Sequence, residues 1–165
     1  MATKTKKFLL VTPSESDFLD IVRDFVGKIA RSAGFSDDYV SKIQLSVDEA
    51  CTNVIRHAYL GMKQKDIEIR VELNAKKLVV SVVDRGRGFK PESKHVDDME
   101  AYLSEYRKGG LGLHLIKLLM DEVQFSIHPN KMNIITLVKY LDDKQTLGTK
   151  RNRKPILEKP HARKR

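Results

Sequence analysis

The chain has 165 residues, 41% of them hydrophobic, and a formal net charge of +9. That length suits one domain with a sizeable core, and no apolar run approaches the roughly 20 residues that a bilayer-spanning helix needs. The charge does not describe a uniformly basic domain: residues 144–165 hold nine Lys and Arg against one acid, Glu158, which leaves 22 basic and 21 acidic residues, net +1, in residues 1–143.

The closing segment, "KQTLGTKRNRKPILEKPHARKR", has few apolar residues and two prolines, and reads as a disordered basic tail after a domain spanning 1–143. Solubilisation is its simplest role. Docking on an acidic partner, a nucleic acid or a membrane surface is the alternative, and would run through the tail alone. The opening "MATKTKK" has no apolar signal core behind it, and the single cysteine, Cys51, cannot close an internal disulfide. Both features make a cytoplasmic protein without a membrane partner the expectation.

In chain order, "KFLLV" (Lys7 to Val11) reads as a short strand. Ser14 with Asp17 resembles a helix-capping pair, and Phe18, Ile21, Val22, Phe25, Ile29 and Ala33 mark a helical stripe that Gly34 stops. Ser36, Asp37 and Asp38 open a second helix with Val40, Ile43, Val47, Ala50, Val54 and Ala58 on its apolar line and Gly61 at its end. The period then shifts from 3.6 to 2. Ile67, Ile69, Val71 and Leu73 alternate with charges in "DIEIRVEL", and "LVVSVVD" reads as a more deeply buried strand.

Residues 85–110 form a long connection with at most one short helix, near Val96 to Tyr106. Loops of that length inside a compact domain are usually functional or disordered. An apolar helix, "LGLHLIKLLM", follows, and "VQFSI" and "NIITLVKY" pair across "HPNK". The order β-α-α-β-β-loop-α-β-β predicts an α+β two-layer sandwich, with helices on one face of a mixed, mostly antiparallel sheet.

Three stretches carry candidate chemistry. On the second helix, Glu49 and Asn53 share a face at i and i+4, beside Ser46, Arg56 and His57. An amide oxygen suits Mg²⁺, and a neighbouring carboxylate can take a proton from an attacking hydroxyl; a solvated helix face explains the spacing more simply. In "VVDRGRGF", a buried strand ends in Asp84 ahead of Gly86 and Gly88. The carboxylate could accept from an exocyclic amine while the glycines admit a ring, although a strand leaving through a glycine turn gives the same pattern. In "RKGGLGLHLI", a basic, glycine-rich loop feeds a helix whose free amides favour phosphate.

In this order the motifs resemble the GHKL ATPase superfamily, which shares the Bergerat ATP-binding fold, over about residues 7–141. "LSVDEACTNVIRHAY" and "GLGLHLIKLLMDEV" look most like its anti-sigma-factor serine/threonine kinases. By that resemblance Glu49 is the general base and Asn53 the Mg²⁺ ligand. Asp84 reads adenine, with Gly86 and Gly88 beside it, Gly110 and Gly112 frame the phosphates, and Thr136 is a late-strand threonine supporting the adenine pocket. The tail lies outside the resemblance.

Gyrase and MutL relatives carry a further domain, and histidine kinases a helical hairpin with the acceptor histidine. Neither pattern is read here. The resemblance therefore implies an ATP- and Mg²⁺-dependent serine/threonine kinase. Its partners would be a sigma factor, which it holds, and an anti-anti-sigma (STAS-like) antagonist, which it phosphorylates; a homodimer is also implied. The alternative is a nucleotide-gated binding module without phosphoryl transfer. Retention of Glu49 favours the kinase, because adenine and Mg²⁺ binding alone would not need it.

Overall fold

Alternation of apolar and polar side chains builds one five-stranded sheet. The computed structural model describes residues 4–88 and 112–141. Its strands are β1 (Lys6–Pro13), β2 (Asp66–Leu73), β3 (Lys77–Asp84), β4 (Glu122–Ser126) and β5 (Asn133–Tyr140), in the order β1-β2-β3-β5-β4. All four pairings are antiparallel. The parallel component expected of a mixed sheet is absent from these pairings, because β2 separates β1 from β3, and β5 separates β3 from β4, strands that run the same way. The short helix expected near Val96 to Tyr106, Gly110 and the basic tail lie outside the described residues.

Three helices, α1 (Leu19–Ala33), α2 (Asp37–Asn53) and α3 (Gly112–Leu119), accompany the sheet. The core joins Val22, Val26, Ile43, Val47, Ala50 and Ile116 of the helices to Ile67, Ile69, Val71, Val80, Val82, Ile135 and Leu137 of the strands. On β3 the even residues Leu78, Val80, Val82 and Asp84 face this core, and on β5 the odd residues Asn133, Ile135 and Leu137 join them. The odd residues of β3 and the even ones of β5 therefore lie on the opposite face.

The α1 stripe differs from the sequence reading. Val26 and Ala30 are fully buried, whereas Ile21 is 50% exposed, because the helix is rotated toward Val22, Val26 and Ile29. The expected Ser14 cap does not form: a 3-10 turn, Ser16–Phe18, precedes α1, and the Ser14 N–H bonds to the Lys65 carbonyl at 2.8 Å. Gly34 does stop the helix, with φ at 97°, its N–H on Arg31 and the Phe35 N–H on Ala30.

Ser36 caps α2 by accepting from the Tyr39 N–H. The helix does not run on to Gly61 in one geometry. After Asn53 it widens into a π turn, Val54–Ala58, closed by the Tyr59 N–H on the Val54 carbonyl. Such widenings recur at functional sites.

At the far end of α3, the buried Lys139 of β5 donates to the Leu119 carbonyl at 3.0 Å and to Asp121 at 2.9 Å. Its Nζ also lies 5.1 Å from the ring centre of Tyr39, in the first turn of α2. One cation thus caps α3 and ties it to α2 and β5.

Cys51 is fully buried in the core, and burial, with Asp48 adding to it, pushes its thiol up to about 12. Its reaction with an aromatic disulfide reagent at pH 8 should be on the order of 100-fold slower in the native protein than in denaturant. Fast stoichiometric labelling of the native protein would show that the inner face of α2 opens.

Candidate functional site at the junction of α2, α3 and the end of β3

Of the polar residues singled out on the second helix, Arg56 and His57 are exposed, but Ser46, Glu49 and Asn53 do not look at open water. Ser46 is fully buried, with its hydroxyl on the Lys42 carbonyl, and Asn53 is 8% exposed. Glu49 is half-buried between them. The reason is α3, which packs on α2 and brings its first residue, Gly112, against the pair. A Cβ on Gly112 would fall 2.6 Å from Glu49 Oε2 and 3.4–3.5 Å from the Asn53 amide atoms. A side chain there would displace the Glu49 carboxylate from its place beside Asn53. Asn53 Nδ2 is the one buried side-chain nitrogen or oxygen without a hydrogen-bond partner among the described residues. Buried amides are almost always paired, so this unspent donor points to an acceptor group as its partner.

The second half of the site is built around Asp84, which is 1% exposed at the end of β3. Its Oδ1 accepts the Gly86 N–H at 2.7 Å and the Asn133 amide at 2.8 Å. Gly86 lies under the π turn: a Cβ there would sit 2.3 Å from the Ala58 carbonyl oxygen, and the Arg87 N–H bonds to that same oxygen at 2.9 Å. Gly88 has φ at 73°, and a Cβ on it would meet Ile127 at 2.8 Å. The Tyr59 hydroxyl accepts the Arg85 N–H and donates to the Asp66 carbonyl, both at 2.8 Å, which fixes the strand end from the other side. Arg85 itself turns outward to Glu68 at 2.7 Å, and the Arg85 and Arg70 guanidiniums hold that carboxyl below its usual range.

Of the residues singled out in the sequence, Glu49, Asn53 and Gly112 meet in one group, and Asp84, Gly86 and Gly88 in another. The π turn at the end of α2 joins the two. Thr136 joins neither. It sits opposite Ser81 with the hydroxyls 3.4 Å apart, on the face of the sheet away from Asp84. Three residues separate it from Asn133, and an odd step along a strand reverses the side chain. Asn133, paired with Asp84 in the register, occupies the place that the sequence reading assigned to Thr136.

A model of the histidine kinase-like ATPase domain matches residues 12–139. Serine-protein kinase RsbW of Listeria monocytogenes serovar 1/2a is 32% identical over 149 residues, covering 88% of this chain and 94% of that protein. Serine-protein kinase RsbW of Bacillus subtilis is 31% identical over 135 residues, covering 79% and 82%. The chain belongs to the serine-protein kinase RsbW family.

Two solved structures share the family's fold. The SiaB–SiaC complex from Pseudomonas aeruginosa superposes with a TM-score of 0.61 at 14% identity, over 79% of this chain and 88% of that one. The RsbU and RsbW domains of a Mycobacterium tuberculosis protein give 0.58 at 16% identity, over 81% of this chain and 32% of that longer one. As a histidine kinase-like ATPase domain, the family's fold is one that uses ATP.

Burial under α3 raises the Glu49 carboxyl above its ordinary value, and Asp48 adds to the rise while Arg56 opposes it. A raised value suits a group that must collect a proton near neutral pH. It also has a stability consequence. The folded state prefers the protonated form, so the cost of ionising Glu49 builds as pH rises above the ordinary glutamate value and is fully present above the folded value. Glu49→Gln should therefore melt above wild type at pH 7.5. The gap should narrow as pH falls and close below about 4.3, the ordinary glutamate value, where both states carry the proton. A variant that melts lower at pH 7.5 would remove the burial account.

Gly86→Ala pushes a methyl group into the Ala58 carbonyl, so backbone must shift. The expected loss is about 1–3 kcal/mol in chemical denaturation, with weaker nucleotide binding. Unchanged stability and binding would show that the π turn and the β3 end are not in contact in solution.

Proposed function

We propose that the protein is an ATP-dependent serine/threonine protein kinase acting as an anti-sigma factor in a partner-switching circuit. It binds a sigma factor and phosphorylates an anti-anti-sigma, STAS-like antagonist, whose dephosphorylated form releases the sigma factor. The observation that carries the reading is the approach of Gly112 to Glu49 and Asn53. That approach sets a carboxylate, an unpaired amide and the first turn of a helix around one small space.

Each residue then has a role. Glu49 takes the proton of the acceptor hydroxyl. Asn53 would offer its amide oxygen, a hard donor of the kind Mg²⁺ takes, while its unpaired Nδ2 can donate to a phosphate oxygen. Mg²⁺, when bound, would neutralise charge on the phosphate oxygens. The amides at the start of α3 and the missing side chain of Gly112 let backbone approach the phosphates; Gly110 belongs to the same loop by sequence. Asp84 accepts from the adenine amine, and Gly86 and Gly88 shape the chain beside the ring. Positioning and charge stabilisation supply most of the rate in phosphoryl transfer, with little covalent work for the protein.

A nucleotide-gated binding module would need Asn53 and Asp84 but not a base. The half-buried Glu49, destabilising when ionised, favours the kinase. The discriminating experiment is single-turnover transfer from labelled ATP to candidate STAS proteins of the same genome. Glu49→Gln should keep ATP affinity and lose roughly 10²–10⁴-fold in transfer. Asn53→Ala should lose Mg²⁺-dependent nucleotide binding as well. Wild-type transfer rates in Glu49→Gln would refute the mechanism.

A further inference from the structure

Asn133 is 1% exposed, and its amide is almost completely used. Nδ2 donates to Asp84 Oδ1 at 2.8 Å and to the Gly86 carbonyl at 3.0 Å, while its oxygen accepts the His128 N–H at 3.0 Å. The amide cannot be turned over. Reversal would set its oxygen against a carboxylate and a carbonyl, and its NH₂ against an N–H. The Gly86 carbonyl also accepts the Asn130 N–H at 2.7 Å, from the turn between β4 and β5. The position is thus fixed from two strands and one turn.

The two donors on Asp84, from Gly86 and Asn133, fall on the same oxygen, Oδ1. A carboxyl on a strand end rotates about its last torsion, and this pair of bonds selects one orientation of it. We infer that Asn133 is a specificity-determining positioning residue, which holds Asp84 Oδ1 so that Oδ2 is presented to a nucleobase bearing an exocyclic amine. Asn133 thereby sets the preference for adenine over a 6-oxopurine. The inference rests on the reading of the site as an ATP site, and names the residue that gives the site its base selectivity.

The physical basis is the asymmetry of hydrogen-bond discrimination. A fixed acceptor rewards an amine and repels a carbonyl, whereas a carboxyl free to rotate can recruit water and tolerate either. Asn133→Leu keeps the branched shape and removes the donor. Asn133→Ser opens a polar gap that water can fill, so it folds even where leucine, which leaves Asp84 Oδ1 only the Gly86 N–H, does not.

The test is calorimetric titration of the full chain with ATP and with ITP, which differ at the 6-position of the base edge. Wild type should prefer ATP, and in both variants the ATP-to-ITP affinity ratio should fall at least about tenfold. Thr136→Val, on the same strand but the other face, should leave the ratio unchanged. A purely structural role would lower melting temperatures and leave the ratio as it was. A ratio within twofold of wild type in either folded variant overturns the inference. No preference for ATP in the wild type itself would instead overturn the adenine role of Asp84.

Discussion

The rest of the site depends on one backbone-to-backbone contact, the seat of Gly86 beneath the carbonyl of Ala58. Side chains cannot be tuned to make this approach, because any Cβ would fall 2.3 Å from the carbonyl oxygen. The missing side chain lets the end of β3 reach the π turn, where the Arg87 N–H uses the same oxygen as its acceptor. The Ala58 carbonyl is available because the helix ends there, where the last carbonyls have no intrahelical partner. The widening sets where that carbonyl lies, with the Tyr59 N–H closing a wider ring on Val54 as the turn ends. One irregularity in a helix thus sets the distance between the Glu49 and Asn53 pair and the Asp84 group.

The second constraint is the short α3, which at eight residues would not stand as a helix alone. Ile116 is fully buried against the core, and Lys139 caps the last turn from β5. A lysine at 6% exposure is tolerated because it has a carbonyl, a carboxylate and the Tyr39 ring around it. With its C-terminal end held this way, the helix presents its first residue to Glu49 rather than sliding along α2.

Much of this was legible in the sequence, and the failures have physical causes. Period-2 patterning located β2 to the residue, because alternation is a local property of the chain, and β5 was read with the same bounds as the closing strand of a hairpin. Glu49, Asn53 and Gly112, and Asp84, Gly86 and Gly88, lie together as their short spaced motifs suggested. Thr136 lies away from Asp84, and Asn133 beside it, for one reason: which face a strand residue takes depends on register with its partner. A threonine flanked by apolar residues reads the same on either face. The pairing of Asn133 with Asp84 joins positions 49 residues apart, and no local pattern carries it. The rotation of α1 away from Ile21 and the cap left unmade by Ser14 are likewise tertiary, since the Lys65 carbonyl competes for the Ser14 amide.

The distribution of unfavourable features is itself informative. The core is ordinary, with well-packed aliphatic side chains and a cysteine whose thiol burial keeps inert. Departures from that pattern gather where α2, α3 and β3 meet: a glutamate raised by burial, an asparagine amide left without a partner, and glycines where side chains would collide. The raised carboxyl and the unpaired amide reduce stability, and an interior designed for stability alone would satisfy or remove them; the glycines are what lets the elements approach there. Their concentration along one line, from the first turn of α3 past the π turn to Asp84, matches an extended ligand with an anionic end and an amine-bearing end. In the proposed complex the anionic end would fall to Asn53 and the amides of α3, where an amide nitrogen has no partner in the fold. The amine-bearing end would fall to Asp84, whose Oδ1 already holds two donors. The fold thus leaves a donor unspent at one end of the site and fixes the acceptor at the other by bonds made in advance.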